Sequence, residues 1–419
     1  ADADAPEHVQ DSGRDAGGML VLGAHPAHPA HSGQPAASSP PEAAAGALER
    51  TDDAPQIDVT LPLPTGGICP ACGGTYDGDG YCEHCGVKAP DPRQHFEIAA
   101  GPWVGGVCDR GVRHSANEDA VALHAELSPG GGMRAAMVVC DGVSTAPRSA
   151  QASLAAARAA VGVLSASRAR GLGVREALIG ALGQRLEAAA DAANEAVEAV
   201  GTLPPGPDEA PPHDEYEAGG PSCTFVAAAV EDGLVVVGNV GDSRAYWFPD
   251  EGQPLLMTID DSWAAEAIRA GADRAEAESG PHAHTITRWL GPDAPDHTPV
   301  TTVLEVTEPG WLLLCSDGLW NYASEPERLA EVFAQAASEV VDVEPVRTAR
   351  WLVEWAIAQG GNDNITAALA RLLPAPPASG VDSFVVPSQE PEATGEASMH
   401  QPTGDQPPRG QPPGPREQG

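Results

Sequence analysis

Two of the strongest apolar runs in this sequence, Met133–Cys140 and residues 311–315, lead into aspartate–glycine pairs, Asp141-Gly142 and Asp317-Gly318. An aspartate leaving the end of a buried strand points its carboxylate outward at the sheet edge. The glycine after it lets the backbone turn so that a carbonyl can reach the same ligand. One such pair is an ordinary turn, whereas two suggest a ligand site built at the edge of a sheet.

Around these runs the chain alternates β-type and helical segments. Strands are expected at Met133–Cys140, 224–230, Leu234–Val240, 311–315 and 365–370, and helices at 150–164, 175–200, 325–337 and 346–359. Residues 1–65 are rich in Ala, Pro, Asp, Ser and Gly, and residues 374–419 run into Pro, Gly, Gln and Glu. Neither end carries enough apolar surface to offset its chain entropy, so both read as disordered. Residues 201–221, rich in prolines and acids, read as a mobile insertion.

The 419-residue chain has 60 acidic and 23 basic side chains, a formal net charge of −37. Such a surface repels phosphate backbones and anionic lipid, which argues against nucleic acid as a partner. No stretch approaches the ~18–20 consecutive apolar residues of a membrane span. The beginning shows no basic segment followed by an apolar core, so a cytoplasmic, monomeric protein is expected.

Cysteine usage points to a reducing compartment. Cys108, Cys140, Cys223 and Cys315 sit singly among apolar residues, while Cys69, Cys72, Cys82 and Cys85 form two Cys-x-x-Cys pairs separated by nine residues. That spacing lets two tight turns converge on one tetrahedral Zn²⁺, and it also permits two disulfides. Gly73, Gly74 and Gly86 offer positive-φ positions behind the pairs. Residues 66–90 therefore read as a small zinc ribbon, similar to those in front of many bacterial regulatory proteins, with one structural ion and His84 as a bystander. Lys88 is its single Lys or Arg, which disfavours a nucleic-acid adaptor.

More acids stand in apolar or Gly-rich settings: Asn117-Glu118-Asp119, Gly241-Asp242-Ser243-Arg244 and Gly361-Asn362-Asp363-Asn364. Hard oxygen donors of this kind suit Mg²⁺ or Mn²⁺. Taken in order, Cys108-Asp-Arg-Gly111, Asn117-Glu-Asp119, Val-Cys-Asp141-Gly, Val240-Gly-Asp242-Ser-Arg244, Leu314-Cys-Ser-Asp317-Gly and Asp363-Asn-Ile-Thr366 resemble the PPM family, the protein phosphatases of the 2C type. The resemblance runs from about residue 101 to residue 373, within a catalytic domain expected at 98–373. It implies an α+β fold, a four-layer α-β-β-α sandwich of two antiparallel sheets.

It also implies a site. Asp141 would bridge two Mn²⁺ or Mg²⁺ ions, the Gly142 carbonyl would bind one of them, and Asp317 and Asp363 would complete the other. Glu118 and Asp119 would hold ion-bound waters, and Asp242 would serve a weaker third ion. The bland alternative for Asp242 is a turn residue bonded to Ser243 or Arg244. The implied reaction is hydrolysis of phosphoserine and phosphothreonine in targets of serine/threonine kinases, by a water shared between the cations.

The chain departs from the family pattern at three places. His114 stands where relatives often carry a phosphate-gripping Arg, so Arg113 or His114 is the candidate phosphate contact. Val143-Ser144-Thr145-Ala146-Pro147 replaces a Gly-rich continuation after Gly142, and Asn321 replaces an acid. These departures leave a second reading open, a catalytically weak module that captures phosphoproteins or a kinase. Residues 258–291 resemble the family's flap beside the active site.

Overall fold

The computed structural model describes residues 68–128, 131–166, 174–204, 219–283, 285–340 and 343–375. The expected disordered segment 1–65, the tail beyond residue 375 and most of the 201–221 insertion lie outside these residues.

Among the described residues the strands, in chain order, are β1 (His95–Gly101), β2 (Val104–Asp109), β3 (Ala120–Leu127), β4 (Met133–Cys140), β5 (Phe225–Glu231) and β6 (Leu234–Val240). They continue as β7 (Arg244–Pro249), β8 (Leu255–Leu256), β9 (Val300–Glu305), β10 (Gly310–Cys315) and β11 (Ile365–Leu372). The helices are α1 (Ser149–Ser165), α2 (Arg175–Gly201), α3 (Trp263–Arg269), α4 (Arg274–Ser279), α5 (Asp317–Trp320), α6 (Pro326–Glu339) and α7 (Pro345–Gln359).

Two antiparallel sheets form, with orders β1-β2-β11-β10-β7-β8 and β3-β4-β5-β6-β9. The period-2 alternation of strand side chains divides the core into three apolar layers. In β4, Met137 and Val139 face the opposite sheet while Ala136, Val138 and Cys140 face α1 and α2. In β10, Leu312 and Leu314 point between the sheets, whereas Trp311 and Leu313 pack under α6 and α7. Strands buried on both faces read as continuous apolar runs, which is why β4, β6 and β10 stand out in the sequence. The resulting four-layer α-β-β-α sandwich is the fold implied by the resemblance.

Strand register positions the site. Ala120 at the start of β3 pairs with Cys140 at the end of β4, and Phe225 at the start of β5 pairs with Val240 at the end of β6. In the other sheet, Cys315 at the end of β10 pairs with Arg244 and with Ala367, near the starts of β7 and β11. Antiparallel connectivity thus delivers residues 117–119, 141–142, 242, 317 and 363 to one end of the sandwich. No helix among the described residues is long and apolar enough to cross a membrane.

Candidate active site

Asp141 leaves β4 with its backbone anchored at both ends. Its N–H donates to Thr224 Oγ1 at 3.0 Å, and its carbonyl accepts from the Thr224 N–H at 2.7 Å. Burial pushes its carboxyl well above the carboxylate range, reinforced by the nearby Asp119, Asp317, Asp363 and Asp242. At Gly142 a Cβ would sit 2.7 Å from the Glu118 carbonyl and 2.9 Å from the Ser149 carbonyl. Only glycine lets these segments approach so closely.

Asp119 is fully buried. Its Oδ2 accepts hydroxyl hydrogen bonds from Ser316 and Thr366, each 2.7 Å away, whereas Oδ1 is buried without a hydrogen-bond partner. Burial raises its pKa to about 7; the two hydroxyls pull it down, and Asp363 and Asp317 push it up. Because Thr366 lies on β11 and Ser316 directly follows β10 of the same sheet, while Asp119 precedes β3 of the other, these bonds tie the two sheets together.

Glu118 is gripped by the loop that departs from the family pattern and by the first residue of α1. Ser144 Oγ donates to its Oε2 at 2.6 Å, and Ser149 Oγ donates to Oε1. Its backbone N–H donates to Asn364 Oδ1 at 2.8 Å. The Asn364 amide in turn donates to the carbonyls of Arg110 and Ala116, pinning the 110–118 loop to the start of β11.

Asp317 opens α5 and accepts a hydrogen bond from Asn321 Nδ2 at 3.0 Å. A Cβ on Gly318 would overlap the Asn364 carbonyl, so this Asp-Gly pair, too, marks a close backbone approach. Asp363 is partly exposed, and its Oδ1 accepts from the Asn364 N–H at 2.7 Å. His114 lies between two of the acids, with Nε2 3.2 Å from Asp363 Oδ1 and Nδ1 3.7 Å from Glu118 Oε2. Arg113 is exposed; its backbone N–H donates to the Gly361 carbonyl at 3.3 Å.

Asp242 is buried, and its carbonyl accepts from Trp320 Nε1 at 3.0 Å. Burial raises its carboxyl well above the normal range, with Asp317 and Asp260 adding to the shift and Arg244 opposing it. The neighbours named in its turn-residue reading have other engagements. Ser243 Oγ is 2.7 Å from Thr224 Oγ1, and Arg244 forks onto Asp260 at 2.7–3.1 Å. Asp260, Ser149 and Thr366 were not singled out in the sequence as site partners, since nothing local marks a hydroxyl or carboxylate that finds its partner across the fold.

This concentration of carboxylates fits hard divalent cations. Asp119 presents a buried oxygen with no hydrogen-bond partner, and mutual repulsion among the acids is relieved by positive charge. Among the described residues, no three carboxylates bring ligand oxygens within 4.8 Å of one another. A cavity of 480 Å³ adjoins the acids, lined by Asp317, Gly318, Asn321, Tyr322, Asn362 and Asp363 among others.

The cysteine quartet does meet that 4.8 Å limit. All four are thiols rather than disulfides, with Sγ–Sγ distances of 3.6 Å for Cys69–Cys85 and 3.4 Å for Cys72–Cys82. A tetrahedron with Zn–S bonds of about 2.3 Å has edges of about 3.8 Å, so the donor set is compatible with zinc. Burial opposes ionisation of Cys69, but the backbone N–H groups of Ala71 and Cys72 bring its pKa down to about 6. Gly73 and Gly86 have positive φ, as expected. Gly74 does not: it is needed for space, since a Cβ there would lie 2.8 Å from His84 Cβ and 3.0 Å from Cys82 Sγ. His84 is exposed.

Residues 111–355 match the family model for protein phosphatase 2C. The chain belongs to the protein phosphatase 2C family. Among curated relatives of this phosphatase 2C chain, the serine/threonine phosphatase stp of Listeria innocua is 34% identical over 160 residues, 38% of this chain and 59% of the relative. The serine/threonine protein phosphatase PstP of Mycobacterium tuberculosis is 30% identical over 191 residues, 45% of this chain and 33% of the relative. The matches thus span about three fifths of the Listeria protein and one third of the mycobacterial one. Among solved structures, the phosphatase Stp1 of Staphylococcus aureus superposes with a TM-score of 0.51 at 22% identity, covering 66% of this chain and 98% of that one. That likeness supports the phosphatase 2C fold.

Proposed function

We propose that this chain is a metal-dependent protein serine/threonine phosphatase. The observation that carries the reading is the convergence of Asp119, Asp141, Asp242, Asp317 and Asp363 at one sandwich end, with Asp119 Oδ1 buried and lacking a hydrogen-bond partner. The activity named for the Listeria and mycobacterial relatives supports it.

Asp141, the Gly142 carbonyl, Asp317 and Asp363 would hold a pair of Mn²⁺ or Mg²⁺ ions, with Asp242 available to a third. When bound, such a pair supplies a polarised water at neutral pH and offsets phosphoryl charge. The chain's own residues set the geometry. Thr224 fixes the Asp141 backbone, and Ser316 and Thr366 orient Asp119 so that its open oxygen serves the ion site. Ser144 and Ser149 hold both oxygens of Glu118. His114, at the mouth beside Asp363, can donate to a phosphoryl oxygen; Arg113 is the exposed alternative. In-line attack of water on phosphorus then forms one P–O bond as the P–O bond to the serine or threonine oxygen breaks, and a proton from that water ends on the departing oxygen.

The substrates are phosphoproteins produced by serine/threonine kinases, and the enzyme acts as a cytoplasmic monomer. The Cys69–Cys72–Cys82–Cys85 quartet carries one structural Zn²⁺ and has no open position for substrate. The domain limits are 66–90 for the ribbon and 98–373 for the catalytic unit. Orthophosphate release from phosphoserine and phosphothreonine peptides, measured with Mn²⁺ and with chelator, tests the reading. Release that depends on Mn²⁺ supports it. Peptide binding with no release under any divalent metal would leave the phosphoprotein-capturing module in its place.

A further inference from the structure

Large apolar side chains are exposed in close succession on the segment from β8 to α3. Leu255, Leu256, Ile259 and Trp263 have relative exposures of 47%, 37%, 50% and 43%. Clusters of this kind on a folded surface mark contact sites. Two of these side chains, Leu256 and Ile259, line a cavity of 330 Å³ whose walls also include Ala264, Ala265, Ile268 and Trp320.

The charges of this cavity are largely matched internally. Arg244 is bonded to Asp260 at 2.7 Å and lies 3.5 Å over the Trp320 ring, and Arg274 is bonded to Glu278 at 2.6 Å. Arg269 donates to the Ala265 carbonyl on its own helix. A charged guest would lose hydration here against charges that already have partners, whereas an apolar guest gains from burial.

The cavity adjoins the acidic one. Glu278, Trp320 and Asn321 line both, and Asn321 itself bonds Asp317. Glu278 also accepts from Ser324 Oγ at 2.9 Å, tying α4 to the loop after α5. A peptide with its phosphorylated residue over Asp317 and Asp363 would therefore cross Asn321 and reach this apolar wall.

Resting on the phosphatase reading, we propose that the cavity between β8, α3, α4 and Trp320 is a specificity subsite for an aliphatic or aromatic side chain of the substrate phosphoprotein, near its phosphorylated residue. The guest belongs to the same polypeptide as the phosphate because the two cavities share a wall.

The test uses the full chain with Mn²⁺ and matched phosphothreonine peptides. Leu or Asn is moved through the positions flanking the phosphothreonine, with p-nitrophenyl phosphate assayed alongside. At one offset the Leu peptide should exceed its Asn counterpart by about tenfold in kcat/KM, mainly through KM, the scale of one apolar side chain in a pocket. Ile259→Glu, at an exposed position where packing is not lost, should erase the difference between the two peptides, as should filling the cavity with Ala265→Phe. Equal kcat/KM at every offset, with p-nitrophenyl phosphate still hydrolysed, overturns the subsite and leaves the phosphatase reading standing. A Leu preference that survives both substitutions also overturns it. If no substrate is turned over, fluorescence anisotropy of the same peptides decides: a Leu preference that Ile259→Glu abolishes supports the subsite, and equal affinities overturn it.

Discussion

Thr366 on β11 donates its hydroxyl to Oδ2 of Asp119, 2.7 Å away across 247 residues of sequence. Ser316 donates to the same oxygen from the end of β10. Two hydroxyls on one oxygen leave the other oxygen of a buried carboxylate to face the neighbouring acids. Thr366→Val and Ser316→Ala should each weaken Mn²⁺ affinity about ten- to a hundredfold, the range for groups that orient metal ligands. Calorimetric Mn²⁺ titration checks this, and Thr366→Ser should restore most of the loss.

Asp141→Ala and Asp317→Ala should lower Mn²⁺-dependent phosphate release by more than about a hundredfold, while Asp119→Asn should cost less. In chelator the first two variants should melt at or above the wild-type temperature, since each removes a negative charge from a cluster in which burial and then Asp119, Asp317, Asp363 and Asp242 push up the Asp141 carboxyl. Thermal melts with and without Mn²⁺ read both effects.

The metal-free protein should become less stable as pH rises. Asp119 has a folded pKa of about 7, above its ordinary value of 3.8, and Asp141 and Asp242 are also raised. A carboxyl with a raised folded pKa binds protons more tightly in the native state. Its contribution is full below the unfolded pKa and is lost as pH climbs through the folded one, a few kcal/mol in order of magnitude. Chelated protein should therefore lose melting temperature from pH 5 to 8, and saturating Mn²⁺ should flatten the profile. Mn²⁺ binding should also release protons, measurable by calorimetry in buffers of different ionisation enthalpy.

Gly318→Ala should cost about 1–3 kcal/mol, because the new Cβ overlaps the Asn364 carbonyl and must displace a β11 segment that holds the 110–118 loop. Denaturant melts should show the loss. Mn²⁺ dependence should weaken with it, since Asp363 and Asn364 move together.

Cys82→Ser should abolish zinc retention, measured by metal analysis after dialysis, and expose residues 68–88 to proteolysis. A module this small has little core beyond Cys69, Tyr76 and Cys82.

Strands buried on both faces and the acids at their ends were legible in the sequence. β4 is apolar from residue 135 to 140, β6 from 234 to 238 and β10 throughout, and Asp141 and Asp317 stand beside glycines that the close backbone approaches require. β2 was not expected, because Gly105 and Gly106 lower its strand propensity even though it is buried between β1 and β11. β7 hid behind the Gly241-Asp242-Ser243-Arg244 turn. The edge strand β9 buries no residue fully, and its apolar Val300, Val303 and Leu304 fall on both faces, so it shows no period-2 pattern. The hydroxyl clamps on Asp119 and Glu118 and the Arg244–Asp260 pair depend on register and tertiary packing, which leave no local trace.

If carboxylates from five separated stretches form one divalent-cation site, Mn²⁺ binding must depend on Asp141. Calorimetric titration of Mn²⁺ into the chelator-treated, zinc-reloaded chain, beside its Asp141→Ala variant, measures this directly. Saturable binding of more than one ion is expected for the wild type, and loss of that binding in the variant. Absence of saturable Mn²⁺ binding, or binding indifferent to Asp141→Ala, would contradict it.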